Sequence, residues 1–437
     1  MVSRTHKPGR SEGVSFNKPA LLLSAPASNQ GKTLVSAALA RAWRNQGYTV
    51  QAFKCGPDFL DPMILQTATG RAVYNLDLGM CGEADIAQRL YQAAAEADVI
   101  LVEGVMGLYD GQPSSADIAL KFNLPLALTI DASGMAQTFG ALAAGLYAHA
   151  PSLRPAGVIA NRLGSAHHGQ ILRDSLPASI PWLGGMLRQD ELSLPERHLG
   201  LFRANEISDL NERIERAASL LSSNGPVPLP PTTAFQPPPQ NDIPALLSGR
   251  RIAIARDEAF CFIYQANLDC LQALGAQLSF FSPLSDQQLP EADAIWLPGG
   301  YPELNLDALS GNQAMRQALQ QAWQQGMPML AECGGMMAAS DSINASPTLG
   351  LLPGACQMQT RFQGLGVQFA SLPEGELHAH TFHYSSFNSP LTALSHARKQ
   401  NSQKPGEAIY RHGSLTASYL HFYFPSNPAA VARLFTS

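Results

Sequence analysis

Charge is scarce in this chain. Only 14% of its 437 residues are Asp, Glu, Lys or Arg, and the balance is acidic, with a net charge of −5. A nucleic-acid binder would usually carry a basic excess, so that class is disfavoured. A small anionic ligand is not excluded, because one local basic pocket suffices to hold it. No uninterrupted apolar run reaches membrane-spanning length. The opening MVSRTHKPGRSEGVSFNKP has no apolar stretch of the kind a secretion signal needs, and its first dozen residues read as a frayed tail. Cysteine is sparse too: six residues, Cys55, Cys81, Cys261, Cys270, Cys333 and Cys356, with no CxxC pair. Nor do they cluster with a nearby histidine, so most of them, Cys333 apart, read as buried apolar residues in a reducing compartment. A cytoplasmic protein is expected.

Hydrophobic residues make up 45% of the chain, a globular value, and the length exceeds what one ordinary core uses. Proline is unevenly spread. Ser222 to Gly249 reads SSNGPVPLPPTTAFQPPPQNDIPALLSG, too proline-rich for a helix or a central strand. It reads as a stiff extended linker, 223–249, between domains spanning roughly 18–222 and 250–437.

Each half alternates short apolar strands with amphipathic helices. In the first, Ala20–Ser24, Val50–Phe53, Val99–Val102, Leu124–Ile130 and Gly157–Ala160 read as buried strands. A helix is expected over Thr33–Asn45. In the second, Arg251–Ala255, Gln277–Phe281, Ala294–Leu297 and Met327–Ala331 do the same, with a helix over Asn312–Gln325. This predicts an α/β protein of two doubly wound, mainly parallel sheets, with ligands at the carboxyl ends of the strands.

The first strand runs into Ser24-Ala25-Pro26-Ala27-Ser28-Asn29-Gln30-Gly31-Lys32-Thr33, which opens the first helix. Strand before and helix after is the context a phosphate loop requires. Gly31 supplies the turn, Lys32 the charge that offsets a transferred phosphate, and Thr33 a hydroxyl for magnesium. Pro26 stands where the first glycine of such loops usually sits. Lys54-Cys55-Gly56-Pro57-Asp58-Phe59-Leu60-Asp61-Pro62 leaves the second strand with two acids, either a solvated loop or part of the chemistry. Asp58, nearer the strand, is expected to meet magnesium and phosphate, and Asp61 to lie where a bulky substrate enters. Glu103 ends a fully apolar strand, placed either to hold magnesium or to cap a backbone amide.

In the second half, Met329-Leu330-Ala331-Glu332-Cys333-Gly334-Gly335 is an apolar strand running into a cysteine and two glycines. That is the pattern of a nucleophile elbow, with the thiol near a helix start that would lower its pKa. Gly299 and Gly300, after Leu297-Pro298, are placed to form an oxyanion hole. The base must come from elsewhere. His421 on a late apolar strand is the best candidate, with His380 and His383 as competitors.

The ordered stretches APASNQGKT, KCGPDFLDP, VEGVMGLYDG, DASGMAQTFGAL, GVIANRLGS, LPERHLGL, RIAIARDEAF, LPGGYPEL, AECGGMM, FHYS and ASYLHFYF resemble the cobyrinate a,c-diamide synthase family over nearly the whole chain. That family pairs a phosphate-loop synthetase domain, similar to dethiobiotin synthetase, with a class I-type glutamine amidotransferase domain. The resemblance implies ATP as co-substrate, magnesium, glutamine, and a corrin-type macrocycle whose a and c acetate carboxylates become amides. It implies no nucleic acid and no membrane. Asp58, Asp61, Glu103 and Asp110 fall on the acidic positions of the synthetase site, with Thr33, Asp58 and Glu103 as metal ligands. Asn161 resembles a base-recognising position. Cys333 resembles the glutaminase nucleophile and His421 its base. Class I amidotransferases usually carry a glutamate two residues after that histidine, and here the place is taken by Tyr423. Related readings are the same chemistry on hydrogenobyrinate or nickel-sirohydrochlorin. A different class is a regulatory ATPase with an inactive amidotransferase-like domain.

Overall fold

The structure is a computed structural model that describes residues 13–197, 200–201, 203–223, 225–239, 243–402 and 404–436. The expected frayed tail, residues 1–12, and His198 and Leu199 of LPERHLGL lie outside the described residues. The chain divides into two compact units. One comprises the chain to Leu76 with Glu83–Gln240, the other Asp77–Gly82 with Asn241–Ser437.

The first unit is built on a parallel sheet. Its strand order is Tyr74–Leu76, Val50–Cys55, Val99–Glu103, Phe16–Ser24, Pro125–Asp131, Arg154–Leu163, Trp182–Leu187. The three central strands read as apolar runs because helices cover both faces and leave no polar side. Leu21, Leu23, Val35, Trp43, Leu101 and Ile214 are fully or almost fully buried in one such layer. Arg41, buried in the helix Lys32–Asn45, donates to the carbonyls of Thr67 and Ala68 and to Asn211 and Glu215. One guanidinium thereby ties the helix behind the phosphate loop to its two neighbours.

Within the proline-rich stretch, residues 226–239 form no helix, as the composition dictates, but part of them is sheet. Thr232–Phe235 pairs antiparallel with Phe16–Pro19, and Trp43 Nε1 donates to the Pro228 carbonyl at 3.2 Å. Proline confines this strand to an edge pairing. The segment Asp77–Gly82 belongs with the second unit, where Met80 is fully buried and its carbonyl lies 3.0 Å from His378 Nδ1.

The second unit centres on a sheet of ten strands. The order is Gln277–Phe281, Arg251–Ala255, Ala294–Leu297, Met329–Glu332, Leu415–Ser418, Pro405–His412, Ser395–Lys399, Gly364–Leu372, Gly375–His383, His421–Phe422. The first five are mutually parallel and the remaining pairings antiparallel. The parallel half matches the doubly wound expectation, while the antiparallel half goes beyond it. Those later strands alternate buried and exposed residues, as one-sided sheet does. Among the described residues no helix is long and apolar enough to cross a membrane.

Candidate functional site

In the first unit the phosphate loop lies at the carboxyl end of the central strand. Gly31 caps the helix with φ 83°, a left-handed conformation that suits glycine, and a β carbon there would lie 2.2 Å from Asn161 Nδ2. Asn161 explains that closeness. Its Nδ2 donates to the Gln30 carbonyl at 3.0 Å and its Oδ1 accepts from Arg162 N at 2.9 Å. The amide expected to read a base also braces the loop. Lys32 folds across the same loop, with Nζ 3.1 Å from the Ala27 carbonyl. Burial, then the neighbouring Lys54, lowers its pKa to about 8.

The acids converge on Thr33. Its hydroxyl lies 2.9 Å from Glu103 Oε1 and 3.2 Å from Asp61 Oδ1. Lys54 closes the cluster, its ammonium 2.6 Å from Asp61, 2.9 Å from Glu103 and 3.0 Å from the Gly104 carbonyl. Burial opposes the charge on Lys54, but these two carboxylates outweigh it and hold its pKa above the usual lysine value. Burial alone would raise Asp61, and the Lys54 ammonium brings it below its usual value. Glu103 is fully buried, which pushes its pKa up, and its Oε2 has no hydrogen-bond partner among the described residues.

The two loop acids differ in what they touch. Asp61, not Asp58, touches Thr33, because the helix Leu60–Thr69 starts at once and turns Asp61 inward on its first turn. Asp58 instead accepts from Leu60 N at 2.8 Å, a turn cap at the helix start. Burial and the neighbouring Asp61 charge raise its pKa to about 7. Asp110 is exposed and caps its own turn, accepting from Gly107 N at 3.0 Å, while Leu108 N bonds the Ala25 carbonyl at 2.8 Å. Lys54 was not among the residues singled out in the sequence. Its signal is a lysine inside a strand whose six positions are all buried. A charge placed there demands an internal partner.

The second unit holds the cysteine elbow. Cys333 sits between the strand Met329–Glu332 and the helix Gly334–Ala339 at φ 47°, ψ −110°, a strained setting for a non-glycine residue. Its own N–H bonds the Ser418 carbonyl at 2.8 Å. A β carbon on Gly299 would lie 2.3 Å from His421 Cε1 and 3.4 Å from Cys333 Cβ, so the sulfur residue and this imidazole meet over a glycine. Gly300 is closed in from the other side, where a β carbon would lie 2.1 Å from the Ala259 carbonyl. The ring of Phe262 stands edge-on to His421, centroids 6.1 Å apart.

The three histidines separate by surroundings. His383 is occupied: Nδ1 faces the Ser385 carbonyl at 2.8 Å, Nε2 faces Glu407 at 3.1 Å, and its ring stacks on Tyr419 at 3.7 Å. His380 is buried and lies opposite His421 across the strand pair. His421 borders the Gly299–Cys333 corner. Burial lowers the pKa of His421 to about 3, helped by His380 and His383. The helix start does not lower the Cys333 thiol as expected, because burial dominates and pushes it up.

Comparison with known proteins agrees with this division. Residues 21–202 match the model of the CobQ/CobB/MinD/ParA nucleotide binding domain, and residues 251–429 that of the CobB/CobQ-like glutamine amidotransferase domain. A hydrogenobyrinate a,c-diamide synthase of Stutzerimonas stutzeri is 54% identical over 96% of this chain and 99% of its own. One of Pseudomonas aeruginosa is 51% identical over 95% and 97%. A cobyrinate a,c-diamide synthase of Herminiimonas arsenicoxydans is 47% identical over 95% and 96%.

Proposed function

The chain belongs to the cobyrinate and hydrogenobyrinate a,c-diamide synthase family, and from that premise we infer a glutamine-dependent, ATP-consuming ligase that amidates the a and c acetate carboxylates of a corrin macrocycle in cobalamin biosynthesis. The observation that carries this reading is the coexistence of two sites in one chain. A phosphate loop with a buried acid cluster lies in one unit and a strained cysteine elbow with a neighbouring histidine in the other.

The division answers a chemical need. A carboxylate is a poor acyl donor, and ammonia does not displace oxide or hydroxide from it. Transfer of the ATP γ-phosphoryl group to the carboxylate makes an acyl phosphate, from which ammonia displaces phosphate. In the first unit Lys32 offsets charge on the moving phosphoryl group, with Gly31 and its neighbours presenting backbone N–H groups to the phosphates. Magnesium suits this site. Thr33, Asp61 and Glu103 supply hard oxygen ligands, and the orphaned Glu103 Oε2 is a buried acceptor that a cation would satisfy. Asp58 and Asp110 stand one step back. Among the described residues no group of three or more His, Cys, Asp or Glu makes a metal cage. When bound, the ion would neutralise charge on those phosphates.

In the second unit the Cys333 sulfur attacks the glutamine side-chain amide while its proton passes to His421. Backbone amides at Gly299 and Gly300 receive the oxyanion. The imidazolium then protonates the departing ammonia, and water cleaves the thioester to glutamate. ATP, glutamine and free thiols suit a cytoplasmic setting.

On substrate, the relatives at 54% and 51% identity are named for the metal-free hydrogenobyrinate. That favours hydrogenobyrinate over its cobalt-bearing counterpart. The test is competition: equal hydrogenobyrinate and cobyrinate with ATP, magnesium and isotope-labelled glutamine, read by mass spectrometry. Preferential double labelling of hydrogenobyrinate is expected. Preference for cobyrinate would reverse the substrate assignment, and labelling of neither would sink the reading.

A further inference from the structure

Where class I amidotransferases place a glutamate two residues after the base, this chain has the fully buried Tyr423. Another carboxyl group lies next to the nucleophile. Glu332 immediately precedes Cys333 and is 1% exposed. Among the described residues it joins no ion pair, yet both its oxygens are engaged. Oε1 accepts the Phe422 N–H at 2.8 Å and Oε2 accepts the Trp296 indole N–H at 2.8 Å. A buried carboxyl group is costly to keep in a core otherwise made of Trp296, Leu330, Phe422 and Phe424. Its bonds show what the group does: it reaches from the strand Met329–Glu332 to the main chain beside His421.

That reach matters because the strand carrying His421 is short. His421–Phe422 is two residues long and, among the described residues, pairs with His380 and Ala379 of Gly375–His383. Asn267 holds the same segment from another side, donating to the Phe422 carbonyl at 2.8 Å and accepting from Phe424 N at 2.8 Å. By the ladder, the cysteine strand and the histidine strand stand at the fourth and tenth places of the sheet order. Glu332 joins them in one step.

We propose that Glu332 is a positioning residue for His421, replacing the missing acid by gripping the main chain after the histidine rather than the imidazole. Because Glu332 is also the residue before Cys333, it fixes base and nucleophile to each other. This inference rests on the assignment of Cys333 and His421 given above.

Glu332→Gln tests it. Only one amide atom can accept, so one of the two N–H donors meets an NH2 group. The kcat for glutamine hydrolysis should fall about 10- to 100-fold, the scale of a misplaced catalytic group, with KM for glutamine changing much less. Amidation driven by ammonium salt in the same preparation should persist. Glu332→Gln with Trp296→Phe removes the competing donor, leaving the amide oxygen to Phe422 N–H, and should recover most of the lost kcat. A purely structural glutamate predicts the opposite, because the double variant damages the core further. Wild-type kcat in Glu332→Gln would overturn the proposal. So would a folded double variant no more active than the single one, and if the single variant does not fold, an inactive but folded double variant decides the matter. Cys333→Ala is the control. If it still hydrolyses glutamine, the underlying reading fails. If it is inactive while Glu332→Gln is normal, only the positioning role fails.

Discussion

Lys54 is the residue on which the first unit's acid cluster depends. Its ammonium stands between Asp61 and Glu103, with 3% side-chain exposure. Replacing it with methionine keeps the volume and leaves two carboxyl groups facing each other without that cation. Removing one partner of such a buried set costs about 3–5 kcal/mol. Lys54→Met is therefore expected to lower the urea midpoint strongly and to abolish amidation from either nitrogen source. Near-wild-type stability would show that the cluster is not held by this charge. A second prediction at this scale concerns acid. Burial lowers His380 and His421 to about 3, against about 6.5 in an unfolded chain. Below pH 6.5 the unfolded state therefore binds protons that the folded state refuses. The stability linked to these groups is complete above pH 6.5 and is lost as pH falls toward 3. Each contributes a slope of up to about 1.4 kcal/mol per pH unit. His380→Phe should flatten the acid limb of a stability–pH curve relative to wild type. The difference between the two proteins separates the histidine contribution, His380 with its push on His421, from all carboxyl groups, and parallel curves from pH 6.5 to 4 would contradict the burial argument.

At the scale of elements, function depends on strand ends that approach as bare backbone. Gly299 follows one strand and Cys333 another, and His421 fits only because Gly299 has no side chain. Gly299→Ala must push the imidazole aside, and glutamine hydrolysis is expected to fall at least about 100-fold, as misplacement by an ångström does. Ammonium-driven amidation should remain, and unchanged glutaminase kinetics would refute the geometry. Arg251–Ala255 and Ala294–Leu297 match their expected bounds, because parallel strands between helices are apolar runs, and the edge strand Gln277–Phe281, mostly not buried, matches its bounds as well. Gly364–Leu372 and Gly375–His383 were passed over because their inward residues alternate with polar ones, and pairing across long loops leaves no local mark. Thr232–Phe235 was hidden among prolines that an edge strand tolerates. Within the sites, the motif glycines, Lys32, Thr33 and Cys333 were visible from local order alone. That Asp61 rather than Asp58 touches Thr33 was not, because it follows from where the helix Leu60–Thr69 begins. Lys54 and Glu332 escaped notice because each looks like an ordinary strand residue until its partners are known.

For the whole molecule, the proposed function joins two chemistries through one intermediate, ammonia, made in the second unit and consumed in the first, and neither site's residues appear in the other unit. Lys32→Ala should therefore stop amidation whichever nitrogen source is offered, while glutamine hydrolysis persists at some level. The most direct measurement is Cys333→Ser assayed for conversion of the macrocycle to its diamide, first with glutamine and then with excess ammonium salt. The account predicts no product with glutamine and diamide with ammonium, at a rate comparable to wild type given the same salt. A folded Cys333→Ser protein that fails with both nitrogen sources, or that still works with glutamine, would contradict it.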